Sequence, residues 1–268
     1  MAAEVVNLPA IEPQCKATIQ SRFSTLRFMK VVKQFNAIQK SFISKHHLEN
    51  LLKLPEHLMV PLHLQQWLLD YTSYGQRKFF QHKEKIIFFT KDIVDKVFGF
   101  PLGTKPFVMD SSDPDIIIEV EQLLAQYKQG RKTIPVKVLV SILLGANSEE
   151  VFIRSFILFF ITTVLCPSTY NFVNPKYLYC LRDIDIPEVG NLDFGTLCLN
   201  HLWYEMDAWK DKIFMNTGDF NRLTWIGGCL PLLAVLYLDF LDFNDNAPPL
   251  IIVCLGCPSS EMKISPIS

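Results

Sequence analysis

No run of apolar residues in this 268-residue chain is long enough to cross a bilayer. The strongest candidate, Ser155 to Cys166, is 12 residues long. As a helix it would reach roughly 18 Å, against a hydrocarbon layer of roughly 30 Å. A second, Ile226 to Leu238, is also too short, and Asp239 and Asp242 close it. Paired cysteines are missing too: there are seven, an odd number spread widely, which fits reduced thiols better than a secreted disulfide framework. The opening MAAEVVNLPAIEP has no basic n-region and no sustained apolar core, so no signal peptide is expected and the protein is placed inside the cell. A phosphate loop is absent as well. The stretch FGFPLGTKPF holds Gly99 and Gly103 but lacks the Walker spacing and its Gly-Lys-Ser/Thr ending, so it reads as a structural turn. No internal repeat is evident.

What is present is core. Hydrophobic residues make up 49% of the chain and charged ones 20%, with a net charge of −1, so the chain can bury a substantial interior. The stretch Val151 to Leu181, VFIRSFILFFITTVLCPSTYNFVNPKYLYCL, is its centre. A helix apolar nearly all round must be buried. Asn147, with Glu150 three residues on, marks its start, and Pro167 its end. Phe156, Phe159, Phe160 and Val164 are expected to be buried against helices carrying Trp203 and Leu233.

Elsewhere the periodicity predicts more helices. Phe28, Val31, Phe35, Ile38 and Phe42 recur at helical steps from Phe23 on, with Arg27, Lys30, Lys33 and Lys40 largely on the other side. Short helices are expected over His47–Leu54, from Pro61, over Lys91–Phe98, Asp115–Tyr127 and Pro135–Leu144, and from Pro175. A long one carries Phe194, Leu197, Leu202, Met206 and Trp209, and a last one spans Leu223–Phe243 with a kink at Pro231. Phe79–Phe80 and Ile86–Phe89 flank a polar turn, which predicts a β-hairpin. The fold expected is therefore mainly α, a single multi-helix domain with a minor β-hairpin near residues 77–90. Residues 1–20 form a flexible lead, 21–243 the domain, and 244–268 a divergent, disordered tail.

Residues 1–100 carry a net charge of +6 and the rest −7. Two faces of one domain can attract each other or simply be solvated; alternatively the basic half can meet nucleic acid. In that second case Arg27, Lys30, Lys33, Lys40, Arg77, Lys78 and Lys83 are the candidate contacts, and they must converge on one surface.

The order of motifs resembles the plant mobile domain family, also labelled aminotransferase-like. The pieces that carry it are FSTLRFMKVVKQFNAIQKSFI, LLKLP with LQQWLLDY, FFTKDIVDKVFGFPLG, FILFFITTVLCPSTYNFVNPKYLYCL, NLDFGTLCLNHLW and IGGCLPLLAVLYLDFLDF. The resemblance covers roughly Phe23 to Phe243. It implies a mainly helical, nuclear, transposon-derived protein with roles in transposon silencing, genome maintenance and meristem development. It also implies partnership with a phosphatase-7-like protein. Two departures, Pro231 and the tail after Phe243, suggest a truncated or diverged copy, one version being a transposon fragment that has lost a C-terminal cysteine protease domain.

The residues offer little chemistry of their own. A pyridoxal enzyme needs a Schiff-base lysine and a phosphate cup, usually on an α/β scaffold, and no alternating βα pattern is present. A cysteine protease needs a Cys activated by an oriented His. His201, beside Leu202 and Trp203, reads as a structural histidine. Cys254 and Cys257 make a lone C-x-x-C without a second pair for zinc, and Cys166, Cys180, Cys198 and Cys229 lie in apolar elements. The expectation is a non-enzymatic protein-interaction module with no catalytic, cofactor or metal site, no membrane partner and no small-molecule substrate.

Overall fold

A computed structural model of the chain describes residues 19–239 apart from 59, 73–78, 83–84, 102, 183–185 and 216–223. The apolar stretch is indeed its axis. Helix α7 (Glu149–Phe160) runs directly into a π-helical turn, Ile161–Leu165, closed by Cys166 N–H donating to Ile161 O at 2.7 Å. Every residue from Phe152 to Cys166 is buried, as a helix apolar on all sides requires. Its cap is Ser148, not Asn147: the Ser148 hydroxyl accepts from Val151 N–H at 3.3 Å. Glu149 and Glu150 follow at the positive end of the helix.

Around this axis pack α6 (Val136–Gly145), α2 (Ala37–Lys45) and, against the π turn, α1 (Thr25–Val32). Helix α5 (Pro114–Lys128) lies on α6 and α8 (Tyr177–Leu181), α9 (Phe194–Met215) on α4 (Lys91–Phe98), and α10 (Leu230–Asp239) on α3 (Leu62–Asp70) and α4. Phe156, Phe159, Phe160 and Val164 are buried as expected, but the principal helical neighbours of α7 are α6 and α2. The turn segment after α4 stands between α7 and α9. Phe100 stacks on Phe194 at 5.1 Å and meets Phe160 edge-on at 5.8 Å. Within that segment a side chain on Gly103 would sit 2.1 Å from Leu192 O, so glycine serves close backbone approach there and not a phosphate.

The hairpin forms as expected: β2 (Phe79–His82) pairs antiparallel with β3 (Lys85–Phe88), facing Phe79 with Phe88 and Phe80 with Ile87. The fold is thus a mainly helical single domain with two-stranded sheets only, among the described residues. No helix among them is long and apolar enough to cross a membrane.

Other expectations are corrected. The helix from Phe23 is two helices. Asn36 and Gln39 form a capping box, each side chain serving the other's backbone N–H, and this local alternative restarts the helix. Ile38 is consequently turned out, 64% exposed, while Phe35 stays buried. Over His47–Leu54 the helix shrinks to a 3-10 turn, Glu49–Lys53. The last helix starts at Leu230, after Gly228 at φ 80°, so Pro231 sits in a first turn where no intrahelical donor is lost and no kink is required. Upstream, β6 (Thr224–Trp225) pairs in parallel with β1 (Ile19–Gln20). Ile19 and Gln20, assigned to the lead, thereby join the fold, and Ile19 is buried. The rest of the lead and residues 244–268, with Cys254 and Cys257, lie outside the described residues.

Candidate functional site

The sites of the basic residues follow from how α1 docks. Ser24 caps it, accepting from Arg27 N–H at 3.1 Å, and Ser24 N–H donates to Thr163 O at 3.1 Å, pinning the helix start to the π turn. That leaves Arg27 half-buried and Lys30, three residues on, exposed. Lys33 pairs with Glu56, and Lys40 is exposed on α2. Arg77, Lys78 and Lys83 lie outside the described residues. Of the four described candidates, then, only Arg27 and Lys30 occupy neighbouring positions of one helix, and the charge of Lys33 is engaged.

A tighter arrangement surrounds Arg27. Its Nη1 donates to Asn171 Oδ1 at 2.9 Å. Arg22 Nε donates to Thr169 O at 2.9 Å, and the Arg22 guanidinium carbon lies 4.5 Å from the centre of the Trp225 ring. Trp225 is beside Arg22 because β6 pairs with β1. Between the two anchors stands Tyr170, 71% exposed, followed by Phe172 at 43%; Trp225 is 38% exposed. Burial, and then the charge of Arg22, push Arg27 below its ordinary pKa, though a guanidinium remains a cation. Among the described residues neither arginine has a carboxylate within ion-pair distance. Sequence reasoning found Arg27 and Lys30 as the outer face of a helix. It missed Arg22 and Trp225, which local pattern could not join across some two hundred positions.

A second feature is a cleft of about 330 Å³ lined in part by Phe107, Met109, Asn174, Tyr177, Asp193 and His201. His201 Nε2 lies 3.5 Å from Pro167 O and 3.8 Å from Glu205 Oε1. Burial lowers its pKa, with Glu205 and the Pro167 carbonyl pulling the other way. Cys166 and Cys198 are buried; burial pushes the Cys166 thiol well up, and the Cys229 contact and burial do so for Cys198. Thiols held protonated in a core behave as small apolar residues and are poor nucleophiles. Among the described residues, no group of three His, Cys, Asp or Glu side chains could hold a metal ion.

The depressed His201 pKa carries a sign. Above the usual histidine range, near about 6.5, folded and unfolded states are both neutral there. As pH falls below it, the unfolded chain takes up the proton first, so stability drops until the folded value is passed. The urea midpoint should therefore fall between pH 7.5 and pH 5.5 by more in the wild type than in His201→Gln. Parallel losses in the two proteins would remove His201 from this role.

Other charges are spent on structure. Lys91 reaches both Asp95, which is buried, and Asp193 at 3.3 Å; Asp193 in turn caps α9, accepting from Thr196 N–H at 2.9 Å. Arg154, buried in α7, donates from Nε to Leu181 O at 2.8 Å and from Nη2 to Arg182 O at 2.9 Å, and also pairs with Glu150.

Fold and site together define a mainly helical single domain whose uncommitted chemistry is a surface of arginines and aromatic rings. Residues 21–234 match the family described as Domain of unknown function (DUF8566), and the chain belongs to that family. No curated protein and no solved structure matches it.

Proposed function

We propose that this domain is a non-enzymatic protein-interaction module that works through the face built by Arg22, Arg27, Tyr170, Phe172 and Trp225. The observation that carries this is the exposure of three aromatic side chains beside two arginines. Tyr, Trp and Arg are the residue types in which binding energy concentrates at protein interfaces. Ser168 and the Tyr170 backbone hydrogen-bond each other, so the Tyr170 ring is free for a partner without disturbing the turn. The resemblance to the plant mobile domain family adds a setting: a nuclear, transposon-derived module, acting in transposon silencing, genome maintenance or meristem development, with a phosphatase-7-like protein as a candidate partner. The nucleic-acid reading called for seven basic residues on one surface. Lys33 is already engaged by Glu56, and Lys40 belongs to a different helix.

The test is affinity capture from plant nuclei with the wild type and with Tyr170→Ser, compared by mass spectrometry. Tyr170→Ser removes an exposed ring and should leave the melting temperature unchanged. At least one partner should be retained by the wild type and lost by the variant. Identical captured sets would end the interaction reading for this face.

A further inference from the structure

Resting on that reading of the face, we propose that Arg22 and Arg27 clamp a phosphorylated side chain on the partner protein. Their anchors, Thr169 O and Asn171 Oδ1, belong to residues two positions apart, whose Cα atoms are within about 7 Å, and Arg27 feels the charge of Arg22. Both anchors are neutral. They fix the guanidiniums without cancelling their charge, and each has used one of its five N–H donors on the anchor. The Trp225 ring holds Arg22 from the side in the same way. Two like charges kept close, half-desolvated and unneutralised among the described residues form a socket for an anion.

A phosphate monoester suits that socket. It carries about −1.5 to −2 charges near neutral pH and three acceptor oxygens, which two forked cations can share. The donors are held in advance, so less side-chain freedom is lost on binding.

Nucleic acid fits less well. A phosphodiester strand gains affinity by neutralising a series of phosphates along its length. The cations further along α1 already face a carboxylate: Lys33 pairs with Glu56, and Lys30 adds to the positive field on it. A ring free for base stacking would help, but one face of Trp225 is covered by Arg22. The positive charge is a point and not a track. The exposed Tyr170 and Phe172 then meet residues flanking the phosphate.

The probe is a labelled peptide pool with phosphoserine at the centre and four randomised positions on each side. Its controls are the unphosphorylated twin pool and a single-stranded oligonucleotide, all read by fluorescence anisotropy on the full chain. The phosphorylated pool should bind at least about tenfold more tightly than its twin, as charge-assisted hydrogen bonds predict. Arg22→Gln and Arg27→Gln should each abolish that preference, and Arg27→Lys should restore it only in part, because an ammonium lacks the fork. Asn171→Ala, at an exposed position, removes only the anchor of Arg27 and should weaken the preference a few-fold while the melting temperature holds, so the proposal stays testable if an arginine variant misfolds. Equal binding of the two pools would overturn it. So would an oligonucleotide that displaces the peptide and loses affinity in the same arginine variants, which would assign the socket to nucleic acid. If the pools bind equally while Tyr170→Ser still strips a nuclear partner, the interaction face stands and the phosphate does not.

Discussion

Phe159→Ala lowers the free energy of unfolding by about 3–5 kcal/mol, the range for emptying a buried aromatic site. Phe159 is fully buried in α7, and its ring stacks on Phe28 of α1 at 5.6 Å and 23°. Phe28 also meets Phe156 at 5.8 Å and Phe160 at 5.4 Å, so one ring of α1 sits among three of α7. Around them the chain is held tightly: α7 packs on α6 and α2, and the π turn on α1. Such a site has little room to collapse, which puts the expected loss in the upper part of the range for large-to-small changes. A domain is commonly stable by about 5–15 kcal/mol, so the variant should fold with a clearly lowered denaturation midpoint. Combining Phe159→Ala with Phe28→Ala should cost less than the two singles added, by roughly 0.5–1.5 kcal/mol for the shared ring contact. Equilibrium denaturation decides it. A single-variant loss under about 1 kcal/mol would mean that α7 is not the axis of the core.

That axis was legible from composition alone, because a helix with no polar side has nowhere to go but inside. The face of α9 was legible for a related reason: Phe194, Leu197, Leu202, Met206 and Trp209 keep a 3.6-residue period, and all five are buried. The hairpin was legible from two short apolar pieces, Phe79–Phe80 and Ile86–Phe89, on either side of a polar turn. What failed was punctuation. Asn147 with Glu150 imitates a helix start, but Ser148 takes the cap; Asn36 with Gln39 is a true one that an unbroken apolar period concealed. Pro231 was taken as an interior proline because the apolar run begins before it, whereas the helix itself begins only at Leu230. The candidate site was half legible. Arg27 and Lys30 show in the helical pattern, but Arg22 acquires its meaning from Trp225, and a two-residue parallel ladder leaves no local mark.

Arg154→Met should cost about 3–5 kcal/mol, as large as emptying an aromatic site, although it removes no apolar contact area of comparable size. Arg154 is the one cation within the otherwise apolar buried stretch of α7, and its side chain is almost wholly shielded. Two of its donors end on Leu181 O and Arg182 O, at the end of α8, where a helix leaves carbonyls without intrahelical partners. The arginine therefore closes α8 from across the core. Methionine fills similar volume but donates nothing, so two carbonyls lose their partners, each at about 1–3 kcal/mol if water cannot reach it. Glu150 is a lesser matter: its side chain is 57% exposed, so its pairing with Arg154 is well solvated on one side. Glu150→Gln should accordingly cost under about 1 kcal/mol. Arg154→Lys should fall between, since one ammonium keeps the charge but cannot present Nε and Nη2 donors to both carbonyls at once. Urea denaturation of the three variants separates the roles. If Arg154→Met stays within about 1 kcal/mol of the wild type, or Glu150→Gln costs as much as Arg154→Met, then the ion pair and not the carbonyl clamp is what Arg154 contributes.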